Sequence, residues 1–209
     1  MKSAKFLGYD PGGMGKPGHA GRNGVAVAQI AEDGSILCES TQNFRVVREV
    51  YGWLKENSAD AVALGIDTLL AWSIDGNRTC DEELWNKYYA KFGKVLSHQG
   101  SLEGAMAING MLVAKKARGL KIPIFESHPK LLLRIIKEVD EQGGNLLKAC
   151  NKKMKESVHD DEADALVGAW CASRWYFGKW KDDLYLKTGQ KGLHFPAGKA
   201  VYPWPESLS

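Results

Sequence analysis

The sequence predicts an α/β protein with a mixed β-sheet, its first three strands antiparallel and the later ones parallel, flanked by helices. Three observations carry that prediction. Short apolar, β-rich runs recur as AKFLGYD (4–10), AVALGIDT (61–68) and IPIFES (122–127), with helical spacing between them. Two further β-rich runs within NGVAVAQIAEDGSILCESTQNF are joined through Asp33-Gly34, a strong hairpin signal. The run AVALGIDT is apolar nearly throughout, as in a strand covered on both faces.

In chain order, the first strand is stopped by Pro11-Gly12-Gly13, and a glycine-rich loop leads to Asn23. The two hairpin strands follow, completing an antiparallel meander. Residues 46–57 place Val46, Val47, Val50, Trp53 and Leu54 at helical spacing. After AVALGIDT comes a polar insert, at about 74–100, that carries a short helix. A helix over 102–119 precedes IPIFES. Another, over 129–141, opens on Pro129, where a missing N–H costs nothing. The stretch from EQGGN to NKKMKES is polar and basic and reads as a connection. A last helix spans 160–177. Residues 1–177 thus form one domain, and 178–209 an extended segment whose Phe195 and Trp204 dock on it.

At 209 residues the chain can bury a large core, and its 44% hydrophobic and 25% charged residues are ordinary globular values. A net charge of +3 permits a nucleic-acid partner without requiring one. Cys38, Cys80, Cys150 and Cys171 are too scattered for a zinc site or a disulfide framework. Neither a signal peptide nor an apolar run of membrane-spanning length is evident, so a cytoplasmic protein with no membrane association is expected.

Acidic residues punctuate this pattern. Asp10, Asp67 and Glu126 each end a β-rich run, and HDDEADALVGAW (159–170) opens the last helix. Taken singly, each has a local explanation: Asp-Pro-Gly is a turn signature, and acids in a first helical turn complement the helix dipole. Asp164 lies deeper. It shares a face with Asp161, Val167, Gly168 and Cys171, beside Ala165, Ala169 and Ala172, a small-residue stripe suited to close packing on a sheet. Parallel strands ending side by side would gather these acids. Crowded carboxylates repel unless a cation neutralises them, and oxygen ligands suit Mg²⁺ or Mn²⁺.

These blocks resemble the RNase H-like superfamily. GYDPGG…NGVAVA is similar to the first-strand block of RuvC-type resolvases, and Asp161-x-x-Asp164-Ala165-Leu166 to their last catalytic helix. GIDTLLAW, Arg78-Thr79-Cys80-Asp81, Glu126-Ser127-His128-Pro129 and HDDEADALVGA resemble an uncharacterised family of predicted RNase H-like nucleases, over about residues 4–175. The resemblance implies a metal-dependent phosphodiester hydrolase that cuts DNA or RNA by a two-metal-ion mechanism. Asp10, Asp67, Asp161 and Asp164 would be its catalytic residues and the ligands of two Mg²⁺ or Mn²⁺ ions. Candidate substrate contacts are Lys16 and Arg22 on the glycine-rich loop, Arg78 on the insert, Glu126, His128, and His159 as a proton relay. Lys148, Lys152, Lys153 and Lys155 read either as a grip on a nucleic-acid backbone or as a solvated surface. The alternative is a non-catalytic or nucleotide-binding, actin- or sugar-kinase-like member of the same fold. Oligomeric state stays open, a homodimer included.

Overall fold

Strands buried along most of their length set the architecture of the computed structural model, which describes residues 1–12, 22–93, 104–156 and 160–205. Strand β1 (Ser3–Asp10) pairs antiparallel with β2 (Asn23–Ala31), and β2 with β3 (Ile36–Phe44). The predicted hairpin is present: Gly34 adopts φ 90°, and the Asp33 side chain accepts a hydrogen bond from the Ser35 N–H at 2.9 Å. Helix α1 (Val47–Asn57) then leads to β4 (Ala61–Ile66), which joins β1 in parallel. After the short β5 (Trp72–Ser73) come α2 (Thr79–Phe92) and α3 (Gly104–Gly119). Strand β6 (Ile124–Glu126) adds to β4 in parallel, giving a five-stranded mixed sheet in the order β3-β2-β1-β4-β6.

Three helices close the fold: α4 (Pro129–Val139), α5 (Gly143–Glu156) and α6 (Asp161–Tyr176). Helix α5 corrects the sequence reading, which left this stretch as a connection. Among its described side chains those fully buried are Leu146 and Cys150, one turn apart, so the apolar stripe is too narrow to stand out among the lysines. The insert helix α2 is also longer than expected, at 14 residues. The C-terminal segment contains β7 (Asp182–Asp183), α7 (Leu184–Lys187), β8 (Leu193–His194) and β9 (Pro203–Trp204). Trp180, Tyr202 and Trp204 in this segment are buried, and β9 pairs with β7. No helix among the described residues is long and apolar enough to cross a membrane.

Helix α6 lies across β1, β2 and β4, and glycines explain how closely. A Cβ at Gly8 would fall 1.7 Å from the Ala165 carbonyl oxygen, and one at Gly65 would fall 1.9 Å from that of Gly168. Helix backbone therefore rests directly on strand backbone, a close approach that a glycine within a strand permits. The small-residue stripe of α6 is the matching surface. Tyr9 points to the opposite face of β1, towards Tyr51 of α1. Helices α1 and α3 pack together over that side.

Candidate metal centre

The same alternation that turns Gly8 and Gly65 towards α6 turns the residues two positions on towards its first turn. Those residues are Asp10 and Asp67. Tyr9 pairs with Ile66 across the parallel ladder, and the Asp67 N–H donates to the Tyr9 carbonyl at 3.0 Å, so the two aspartates stand side by side. Helix α6 begins at this edge and supplies Asp164. Each of Asp10, Asp67 and Asp164 offers one carboxylate oxygen, and the three atoms all lie within 4.8 Å of one another.

Such crowding is electrostatically costly. Burial, then repulsion from Asp67, Asp164 and Asp161, holds the Asp10 carboxyl well above the usual range. Burial and Asp164 do the same to Asp67. The Asp164 carboxyl is pushed up to about 6, chiefly by burial, although Lys130 pulls it back. Asp164 is 2% exposed, and its Oδ1 accepts no hydrogen bond from the described residues. A buried carboxylate oxygen without a donor is rare and expensive, and a hard cation is the partner that a cluster of such oxygens suits.

One cation is already at the edge of this cluster. Lys130 Nζ lies 2.6 Å from Asp164 Oδ2 and also donates to Asp160, while its own side chain is 53% exposed. Burial pulls its ammonium down, but Asp164 and Asp160 outweigh it and hold the group above the usual lysine range. Lys130 was not singled out from the sequence, yet a signal existed. It sits in the first turn of α4, where a positive charge opposes the helix dipole and needs outside compensation.

Asp161 stands beside the group of three rather than in it. It is 8% exposed, and its Oδ2 lies 3.5 Å from the Nε of Arg22, so this predicted loop residue does reach the cluster's rim. Lys16 and His159 lie outside the described residues. The neighbouring acid Glu162 turns away to β3, where Asn43 donates to it at 2.8 Å.

Arg78, Glu126 and His128 belong to a different assembly. Arg78 and Glu126 are wholly buried and joined by two hydrogen bonds, of 2.7 and 2.9 Å, while Arg78 also grips Asp81 through bonds of 2.6 and 2.8 Å. Glu126 further accepts the Leu70 N–H at 2.6 Å and the Tyr185 hydroxyl. Every carboxylate oxygen here has a donor. The Arg78 guanidinium lies 5.8 Å from the ring centres of both Tyr185 and Tyr202. His128 Nε2 is 3.9 Å from Glu126 Oε1, and burial holds the imidazole below its ordinary pKa, so the contact is with a neutral ring. Asp81, Glu126 and His128 also offer ligand atoms within 4.8 Å of one another, but Arg78 already occupies their charge. The sequence pairs Arg78 with Asp81 but gives no sign of Tyr185, whose partner Glu126 is 59 residues away.

Fold and site thus define an α/β protein with a buried, under-neutralised carboxylate cluster at the ends of adjacent parallel strands. Comparison with protein families, curated proteins and solved structures finds no match for the chain.

Proposed function

We propose that this protein is a divalent-metal-dependent phosphodiester hydrolase of the RNase H-like fold, acting on nucleic acid. The observation that carries the reading is the convergence of Asp10, Asp67 and Asp164 within 4.8 Å, with one buried Asp164 oxygen lacking a donor among the described residues. The strand order β3-β2-β1-β4-β6, antiparallel then parallel, supports it by placing Asp10 on the central strand.

Asp10, Asp67 and Asp164 would hold Mg²⁺ or Mn²⁺, with Asp161 assisting from the rim. When bound, such ions supply Lewis-acid charge to the phosphoryl oxygens and lower the pKa of water. The protein's own groups do the rest. The β1–β4 ladder fixes Asp10 against Asp67 before any ligand arrives. Lys130 holds Asp164 Oδ2, while the buried Oδ1 has no hydrogen-bond donor among the described residues. Arg22, 48% exposed at the rim, can meet a phosphate once an ion takes over the charge of Asp161.

The test combines Mn²⁺ calorimetry with a cleavage screen on single-stranded, duplex, hybrid and branched nucleic acids, using Asp10→Asn as the control. Metal-dependent cleavage by the wild type alone is expected. Wild type and control cutting equally would overturn the reading, whereas Mn²⁺ binding without cleavage would favour the non-catalytic alternative.

A further inference from the structure

Outside the carboxylate cluster, one groove gathers positive charge. It lies between α4 and α5, has a volume of about 440 Å³, and is lined by Lys137, Lys148, Lys152 and Lys155, with Leu147 and Asn151 among the other wall residues. The three α5 lysines fall at i, i+4 and i+7, a single stripe rising about 10 Å along the helix axis. None of the four lining lysines forms an ion pair with a described residue. Two neighbouring charges are engaged elsewhere: Lys153 turns to the sheet, 3.6 Å from Glu39 of β3, and Glu138 is held by Lys91 at 2.6 Å.

Helix dipoles explain Lys137 and Lys155, which sit in C-terminal turns where a cation is welcome. They do not explain Lys148 and Lys152. Like charges at i, i+4 cost a helix a few tenths of a kcal/mol per pair, and α5 offers no acid in its first turn to offset this. A row of unpaired ammonium groups with a repulsive spacing fits a polyanion that is itself linear. The groove also leads to the right place. Helix α5 packs on the first turn of α6, with Cys150 Sγ 3.7 Å from the Ala163 carbonyl oxygen, and Lys130 at the N-terminus of α4 reaches Asp164 in the same turn.

We propose that the α4–α5 groove binds the phosphate backbone of a nucleic-acid strand and leads it to the carboxylate cluster. That the polyanion is a nucleic acid rests on the hydrolase reading above; that the groove binds a polyanion does not.

The experiment is fluorescence anisotropy of a labelled 20-nucleotide single strand and a 20-base-pair duplex, titrated across NaCl concentrations in EDTA. Each neutralised phosphate contributes about 0.7–0.9 to the slope of log K against log[salt]. The triple variant Lys148→Gln/Lys152→Gln/Lys155→Gln should therefore lower the slope by about 2 and weaken binding at least tenfold near 100 mM salt. Its thermal midpoint and Mn²⁺ affinity should match the wild type, and Lys153→Gln should leave the slope unchanged. An unaltered slope in the triple variant overturns the proposal. So does wild-type binding to anionic phospholipid vesicles with none to either oligonucleotide. Because metal is absent, loss of the hydrolase reading through failed cleavage leaves this result standing, and a flat slope in a protein that still cuts removes the groove alone.

Discussion

Two buried acidic clusters sit at neighbouring strand ends of this sheet and solve the same problem differently. Around Glu126 and Asp81, Arg78 supplies a fully buried guanidinium, and a backbone amide and a tyrosine hydroxyl complete the shell. Around Asp10, Asp67 and Asp164, the cation found among the described residues is a half-exposed lysine reaching in from the side, and one buried oxygen has no donor among them. The first cluster is finished by the chain itself. The second is left short of positive charge in a place where strands and helix hold it rigidly. Carboxylates alone therefore do not distinguish a site from a strut; what matters is whether the protein's own donors satisfy them.

The largest effect that would break this contrast is expected at Arg78. Arg78→Met should destabilise the protein by about 3–5 kcal/mol in urea denaturation, since it strands two buried carboxylates. A loss below about 1 kcal/mol would mean that Arg78 does not neutralise its cluster. Next, the same acid-to-amide change should act with opposite sign in the two clusters. Glu126→Gln should lower the thermal midpoint, whereas Asp164→Asn should raise that of the metal-free protein while weakening Mn²⁺ binding by roughly 100-fold or more, beyond the effect of losing an outer-shell partner. Calorimetry and thermal melts on the same samples read both.

Acid pH should sharpen the difference further. Asp164 titrates near 6 in the folded protein, above its unfolded value of about 3.9, so the folded state binds the extra proton. Its favourable contribution is present below pH 4 and is lost as pH rises through 6. Asp10, Asp67 and Asp161 from the strand ends and helix push the same way, while Lys130 on α4 opposes them. Metal-free protein should thus lose roughly 1–3 kcal/mol between pH 4.5 and 7 relative to Asp164→Asn, and saturating Mn²⁺ should remove the difference. The smallest effect belongs to Lys130→Met. Removing a competing, solvent-screened ammonium should tighten Mn²⁺ binding about threefold, and unchanged affinity would mean that Lys130 and the ion do not share Asp164.

Much of this was legible in the chain because it is local. Apolar runs that stop at Asp10 and Asp67, the Asp33-Gly34 turn, and the small-residue face beside Asp164 all follow from alternation and helical spacing. The α5 helix was not, since two buried side chains among lysines leave no readable period. The roles of Arg78 and Glu126 were hidden for another reason. Burial is a property of distant partners, here Tyr185 and the loop at Leu70, so a charged pair inside the protein looks like one waiting for a ligand. Lys130 escaped notice because its meaning lies in the acids of another helix.

The contact between α6 and the glycines of β1 and β4 has one more consequence. With main chain against main chain, no flexible side chain cushions the gap, so the spacing of the oxygens is set by the stiffest parts of the molecule. Stiff jaws select by size. On the proposed metal reading, an ion that prefers oxygens at about 2.0–2.1 Å would be gripped, whereas calcium, at about 2.3–2.6 Å, would strain the contact between helix and strands. Wedging that contact open with Gly65→Ala should blur the preference for magnesium over calcium before it unfolds the protein.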